Sequence, residues 1–278
     1  MIRRLLAVAA GMAVVAVIVL GAWLQIDERR TLGVRHAAVS TAPDRIDIRA
    51  SIQHVDATAR QLTLRLLVVP RGDLGESGGL APATDLTLLT SALVRGDLRF
   101  PAHARISSVD VPVSLSSGSV ADYPFDAYGT LIEVAAQAGG AAVPVSMTLT
   151  GRDPLFTQDM AAEQIDGAAS FDVGIERTTS VLLFALFMMA AMWALAGAVV
   201  LATWFLVSRR RGLVWPALGW MAATLFALAA FRNTAPGTPP FGCLVDYTAF
   251  LWAEMIIAAS LTCVVIAGAR TEFTGTAP

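Results

Sequence analysis

Four long apolar runs interrupt an otherwise mixed pattern of hydrophobic and polar residues along this chain. Each run has the roughly 20 residues that a helix needs to cross about 30 Å of hydrocarbon. None shows the alternation that strands of a membrane barrel require. The pattern therefore predicts four transmembrane helices, which are Leu5–Leu24, Val181–Val207, Leu213–Phe231 and Thr248–Ala269.

The first apolar run also has features of a secretory signal peptide, because Arg3 and Arg4 precede it. Its core is longer than the usual apolar region of a signal peptide, and no small-residue cleavage site follows it directly. We expect an uncleaved signal anchor over residues 1–24, and a cleaved signal peptide is the alternative.

Between the first and second runs, short segments alternate apolar and polar residues, as in Arg45–Ile52 and Gln61–Val69. Residues 25–42 are predicted to be a polar connector. Many short strands separated by turn residues indicate an antiparallel β-sandwich or barrel. The further candidate strands are Asp85–Thr90, Arg105–Leu115, Tyr128–Ala136, Val143–Thr150 and Ser170–Glu176.

The arginines that flank the apolar runs lie before the first run, between the second and third, and after the fourth. The positive-inside rule places these three segments in the cytoplasm. Residues 25–178 then form an extracytoplasmic β-rich domain, 179–270 a three-helix transmembrane region and 271–278 a cytoplasmic tail. The fold class expected is an α+β protein with one helix before the sandwich-like domain and three after it. This is a multi-pass protein of the inner membrane with both termini in the cytoplasm. The flanking arginines are Arg3, Arg4, Arg209, Arg210, Arg211 and Arg270.

Composition agrees with a membrane protein, since 55% of residues are hydrophobic and only 15% are charged. A soluble domain is about a quarter charged. Lysine is absent, which excludes lysine-nucleophile chemistry. The formal net charge of −2 argues against nucleic acid as a partner. Residues 25–178 hold 13 arginines and 19 acidic residues, so the outer domain carries a formal charge of −6.

No set of catalytic or metal-binding residues stands out, so we expect no enzymatic activity, no metal site and no cofactor. Cys243 and Cys263 lie about 30 Å apart in a continuous helix, too far for a disulfide. His54 falls where a hairpin turn is expected, and His36 and His103 have no partner nearby in the sequence.

An aromatic-acid loop, Tyr123-Pro124-Phe125-Asp126-Ala-Tyr128, is the densest local feature of the outer domain. One interpretation is a corner between strands, in which the proline fixes φ, the aromatic rings pack and the acid bonds nearby backbone. The other is a loop that contacts a ligand or partner.

A polar cluster of Arg232, Asp246 and Glu254 surrounds the last connector, although the neighbouring sequence is apolar. Glu254 lies about 12 Å beyond Asp246 along the helix. A structural clasp that fixes the helix pair is one interpretation, and a proton or substrate site is the other. The connector itself contains the turn-forming residues Pro236, Gly237, Pro239, Pro240 and Gly242.

Two motifs together resemble the domain-of-unknown-function family DUF4436, integral membrane proteins of mycobacteria and other actinobacteria. One is Pro-Phe-Asp-x-Tyr in the aromatic-acid loop. The more specific is Arg-Asn-x-x-Pro-Gly-x-Pro-Pro-x-Gly, followed by Asp and by Phe-x-Trp-Ala-Glu, in the last hairpin. The resemblance extends from about Ile46 to Ala269. It implies location and architecture, and it brings no activity.

Three functional classes remain open. The first is a binding or scaffolding component of the cell envelope that acts through its outer β-domain. Its partners are the lipid bilayer and another membrane or envelope protein, or a second copy of the chain. The second is a small oligomeric transporter or channel subunit that uses the polar cluster. The third, an extracytoplasmic enzyme, has the least support.

Overall fold

The computed structural model describes residues 19, 21–23, 25–28, 33–76, 80–90, 96–209 and 212–275. Contacts divide them into two compact units. The first unit contains the residues up to Ser119 together with Phe125–Ser180, and the second contains Val120–Pro124 and the residues from Val181 onwards. Most of the predicted helix Leu5–Leu24 lies outside the described residues.

The described part of the first unit consists mainly of β-strands arranged in two sheets. One sheet has the strand order β1-β9-β2-β3-β6, and the other has β10-β11-β7-β4-β5 with β8 also paired to β7. The strands are β1 (Arg35–Ala38), β2 (Ile46–Asp56), β3 (Gln61–Pro70), β4 (Leu86–Thr90), β5 (Leu98–Phe100), β6 (Val109–Ser114), β7 (Ala127–Ala138), β8 (Ala141–Val143), β9 (Val145–Gly151), β10 (Phe156–Ile165) and β11 (Ala168–Arg177).

Alternation of side chains explains why these segments form a sandwich-like core. In β2, Ile46, Ile48, Ala50 and Ile52 are buried while the residues that alternate with them are not, and β3 follows the same period. Phe171 of β11 and Met147 of β9 are also fully buried. Burial of each large apolar side chain contributes about 1.5–3 kcal/mol. The predicted mixture of a β-sandwich-like region and apolar helices is confirmed.

Four strands lie where the sequence pattern does not indicate them. β1 falls within the predicted polar connector, and β5 and β8 have only three residues each. β10 buries only Phe156 and Met160 of its ten residues, so it shows too little alternation to be recognised. The sheet with the order β1-β9-β2-β3-β6 is also not purely antiparallel, because β2 and β9 pair in parallel.

His54 lies in a strand, where a hairpin turn was predicted. His54 belongs to β2, and its Nδ1 is 3.3 Å from the Oδ2 of Asp153, whereas the hairpin turn begins three residues later. The buried Asp153 carboxylate also accepts the backbone N–H of Val55 at 2.7 Å. His103 lies against the Glu76 carboxylate, so it does have a partner, which is distant in sequence.

The described part of the second unit contains three long helices. α1 spans Thr179–Ser208, α2 spans Trp215–Arg232, and α3 spans Leu251–Gly275 after a π-helical turn at Asp246–Phe250. By length and composition alone, α1 and the segment Asp246–Phe273 are suited to crossing a membrane. The 18-residue α2 is not among the helices that meet this measure. The assignment of four spans therefore stays a prediction.

The buried face of α1 includes Met188 and Met192, so these methionines pack against other residues. Trp193 of the same helix donates its indole N–H to the Thr248 carbonyl at 3.2 Å. The Thr248 hydroxyl lies 3.4 Å from the Met189 sulfur. α1 is therefore tied to the start of the α3 segment by side-chain contacts.

Candidate functional site

The connector between α2 and α3 is shaped by glycines and prolines. Gly237 and Gly242 have φ angles of 76° and 95°, a region that residues with a Cβ atom rarely adopt. Pro239 is buried, Pro236 is half-buried and Pro240 is exposed. Because a proline has no backbone N–H, these residues offer only their carbonyl groups to neighbours.

The Arg232 side chain, at the end of α2, is held from several directions. Its Nε and Nη2 donate to the two carboxylate oxygens of Asp246 at 2.7 and 2.8 Å, as a bidentate pair. Nη1 donates to the Pro239 carbonyl at 2.8 Å, and Nη2 also donates to the Pro240 carbonyl at 2.9 Å. The guanidinium carbon lies 4.4 Å from the centre of the Phe241 ring, which adds a cation–π contact.

The Asp246 carboxylate, for its part, closes the first turn of the last helical segment. Its Oδ2 accepts the backbone N–H of Gly242 at 2.7 Å and that of Cys243 at 3.3 Å. An acid in the first turn that reaches back to free N–H groups makes one half of a capping box, and its negative charge is favourable at the positive end of the helix dipole. The same carboxylate therefore caps one helix and binds the end of another.

This Arg232–Asp246 pair is almost wholly removed from solvent, with 3% and 2% of the two residues exposed. A buried ion pair is tolerated only when additional hydrogen bonds satisfy both partners. All three guanidinium nitrogens donate, and both carboxylate oxygens accept. The pair is therefore an internally satisfied clasp across the α2–α3 connector, which we call the hairpin clasp.

Glu254 is not brought into the hairpin clasp. It lies on α3, half-buried, next to the buried Ala253. Within the described ranges it makes no hydrogen bond and no ion pair. The structure thus joins two of the three residues of the predicted polar cluster and leaves the third separate.

The aromatic-acid loop places its acid in the interior of the first unit. Asp126 is 2% exposed and accepts from Arg177 Nε at 3.0 and 3.1 Å, with Nη2 3.0 Å from its Oδ2. The Tyr128 hydroxyl donates to the same carboxylate at 2.7 Å. The loop's Phe125 side chain, in contrast, is 58% exposed. The acid therefore bonds an arginine side chain and a tyrosine, where nearby backbone was expected.

An aromatic ring supports the same ion pair from the side. The Arg177 guanidinium carbon lies 4.2 Å from the centre of the Phe156 ring, and Tyr128 meets that ring edge-on at 6.2 Å. Asp126, Tyr128, Phe156 and Arg177 form a group that we call the sandwich clasp. The remaining loop residues Tyr123 and Pro124 are buried.

Several members of these sites were not identified from the sequence, among them the two aromatic partners of the arginines, Phe156 and Phe241. Arg177 lies 51 positions from Asp126, and no local pattern links them. Cys243 is buried beside the hairpin clasp, where its sulfur is 3.5 Å from both Arg232 Nη2 and Asp246 Oδ2. The sequence signal for Cys243 was its position just before a helix whose first turn contains an acid, Asp246.

Comparison with protein families gives two adjacent matches. A family model described as Domain of unknown function (DUF4436) matches residues 36–176, just over half of the chain. The chain belongs to this family. A second model, described as Domain of unknown function (DUF8686), matches residues 177–271. No curated protein matches the chain.

The DUF4436 range covers the strands, and the second range covers the three described helices. The predicted membership of DUF4436 is confirmed. The Pro-Phe-Asp-x-Tyr motif lies in the DUF4436 range, whereas the hairpin motif lies in the second range. The two motifs that suggested one family thus belong to two separately described domains.

Proposed function

We propose that this DUF4436 protein is an integral membrane component of the cell envelope. Its β-sandwich binds or scaffolds another envelope component, and its helices anchor it in the bilayer. The proposal rests on the observation that the hydrogen bonds of the hairpin clasp are satisfied within the clasp and its own connector. Arg232 and Asp246 direct their hydrogen bonds to each other and to their own connector. This favours an anchoring role for the helices and leaves recognition to the sandwich.

A co-purification experiment tests the binding function. The full chain, tagged at its C-terminus, is extracted from native membranes with a mild detergent and analysed by mass photometry and mass spectrometry. We expect an envelope component to be recovered in stoichiometric amount. A tagged membrane protein of similar size and unrelated sequence serves as the control. Recovery of the chain as a clean monomer would contradict the proposal.

The proposed topology has four spans, with the sandwich and the α2–α3 connector outside the cytoplasm. The positive-inside rule supports it, since the arginines flank the runs in a consistent alternation. We expect alkaline phosphatase fused after residue 100 or residue 240 to be active. Fluorescent-protein fusions after residue 210 or residue 275 should report the cytoplasm. If positions 100 and 210 were found in the same compartment, this topology would be wrong.

A second candidate is a small oligomeric transporter or channel subunit that uses Arg232, Asp246 and Glu254. The specific observation in its favour is Glu254, a half-buried acid on an apolar helix without an ion pair in the described part of the chain. Acids at such positions in a membrane are commonly functional.

The variant Glu254→Gln separates the two candidates. For an anchoring helix, we expect no change in proton or solute flux into liposomes and little change in thermal midpoint. Glu272→Gln is the matched control, because this acid lies on the same helix but is exposed at its end. Loss of a pH-dependent flux in E254Q alone, with the midpoint preserved, would establish the transport function instead.

A further inference from the structure

The outer face of the first sheet carries an open groove of about 580 Å³. It runs across β1, β9 and β2, on the side of these strands opposite the apolar core. We call it the arginine groove. Its polar lining residues are Arg35, Arg45, Asp47, Arg49, Ser51, Ser146, Thr148, Thr150 and Arg152.

Strand register explains why these side chains share one face. Arg35 of β1 is paired with Thr150 of β9, and Thr150 is paired in turn with Ser51 of β2. Arg49 of β2 is paired with Thr148 of β9. Paired residues point to the same side of a sheet, and neighbouring strands lie about 4.8 Å apart. The arginines and hydroxyls are therefore interleaved across three strands.

The arginine groove is positively charged, whereas the domain that contains it has a negative formal charge. Arg35, Arg49 and Arg152 are exposed, and within the described residues none of their side chains makes a hydrogen bond or an ion pair. Other arginines on or beside this sheet pair with acids: Arg45 and Arg71 share the carboxylate of Asp47, and Arg65 pairs with Asp110. Three uncompensated positive charges are thus concentrated on a domain whose formal charge is −6.

The remaining lining identifies the class of ligand. Ser146 and Thr148 offer hydroxyl groups that both donate and accept hydrogen bonds, as sugar hydroxyls require of a partner. The Ser51 hydroxyl accepts from Gln53 Nε2 at 2.6 Å and can still donate, whereas the Thr150 hydroxyl donates to the Ala50 carbonyl at 3.3 Å and can still accept. Guanidinium groups bind carboxylate and phosphate oxygens with two parallel hydrogen bonds. Among the residues that the structure describes, those lining the groove include no aromatic side chain, so they offer no platform on which nucleobases stack.

We propose that the arginine groove binds an acidic glycan, a polysaccharide that carries carboxylate or phosphate groups. The proposal rests on the proposed function, because it takes the sandwich as the recognition part of an envelope protein. Arg35, Arg49 and Arg152 bind the anionic groups, and the serine and threonine hydroxyls bind the sugar ring hydroxyls. An open groove of this size accommodates consecutive units of a chain rather than a single enclosed ion.

The experiment measures binding of two defined probes, polygalacturonate and phosphorylated mannan, to the full chain in nanodiscs of uncharged lipid. Neutral dextran is the uncharged comparison. We expect at least one acidic probe to bind, dextran not to bind, and binding to weaken as salt rises from about 0.05 to 0.5 M. The variant R35Q/R49Q should weaken binding about tenfold or more, because it removes two charge-assisted contacts.

The variant R99Q/R105Q provides the matched control. It removes the same charge from exposed arginines outside the groove, and we expect its affinity to stay within about twofold of the parent. Thermal midpoints of both variants establish that they fold. Equal weakening by both variants, or no binding of either acidic probe, would overturn the inference. So would binding only to vesicles that contain phosphatidylglycerol, since the groove would then contact a lipid surface.

Failure of this inference is distinguishable from failure of the proposed function. If co-purification recovers an envelope protein equally with the parent and R35Q/R49Q, while neither acidic probe binds, the sandwich has a protein partner at another surface. The proposed function then stands and the arginine groove does not serve it.

Discussion

Substitution of Asp246 by alanine is expected to destabilise the helical unit by about 3–5 kcal/mol. The variant leaves the Arg232 guanidinium in a site that is 3% exposed, with the Pro239 and Pro240 carbonyls but no carboxylate. It also removes the acceptor for the backbone N–H of Gly242 at the helix start. An uncompensated buried charge and a lost cap act in the same direction.

Tryptophan fluorescence measures this effect selectively. The sequence has six tryptophans, of which five lie between residues 193 and 252 and none lies within residues 33–178. A thermal or denaturant transition followed by intrinsic fluorescence in detergent therefore reports the helices rather than the sandwich. We expect a clearly lower midpoint for D246A than for the parent chain.

The double variant R232M/D246L is the informative control for D246A. It removes both charges and replaces them by apolar side chains, so it leaves no unpaired ion in the interior. Such replacements of buried pairs are often close to neutral in stability. We expect the double variant to melt above D246A. If D246A melted with the parent, or if the double variant were the less stable of the two, the hairpin clasp would not stabilise the helices.

Local patterns predicted the parts of this protein that depend on neighbouring residues. β2 alternates apolar and polar residues from Ile46 to Gln53 and β3 from Gln61 to Leu66, and the two strands form a hairpin. Arg232 and Asp246 flank a short connector, so their proximity follows from antiparallel helices. By contrast, Arg177 meets Asp126 only because β11 pairs with β7, and no local period encodes that pairing.

The arginine groove escaped prediction for the same reason. Arg35, Arg49 and Arg152 are spread over more than a hundred positions, and the parallel pairing of β2 with β9 brings them to one face. The edge strands β1, β5 and β10 were missed because they are short or bury few side chains, whereas the edge strand β6 lies within the predicted segment Arg105–Leu115. β10 illustrates this with two buried residues in ten.

Helix α1 shows a limit of composition-based inference. Its small residues Ala190, Ala194, Gly197 and Ala198 are of the kind that lets another helix approach closely. The structure places them on the exposed side, and the buried side is formed by Ala185, Met188, Met192, Ala196 and Val199. A helix that is apolar all round carries no periodic signal, so its sequence does not reveal which face packs.

Substitution of Asp126 by alanine should destabilise the sandwich by about 3–5 kcal/mol. Arg177 is 9% exposed, and in the variant its charge keeps the Phe156 ring but loses the carboxylate that binds it. The Tyr128 hydroxyl loses its acceptor as well. Because the sandwich has no tryptophan, the transition is followed by far-ultraviolet circular dichroism of the full chain in detergent, at the wavelength of the β-sheet signal.

Asp110→Ala is the matched control for D126A. Asp110 forms a bidentate pair with Arg65, and hydrogen bonds from that arginine hold the pKa of Asp110 below its usual value. Both side chains of this pair are nonetheless exposed to water, which screens their attraction. We expect D110A to melt close to the parent and D126A well below it. Equal midpoints for the two variants would show that burial does not increase the contribution of the sandwich clasp to stability.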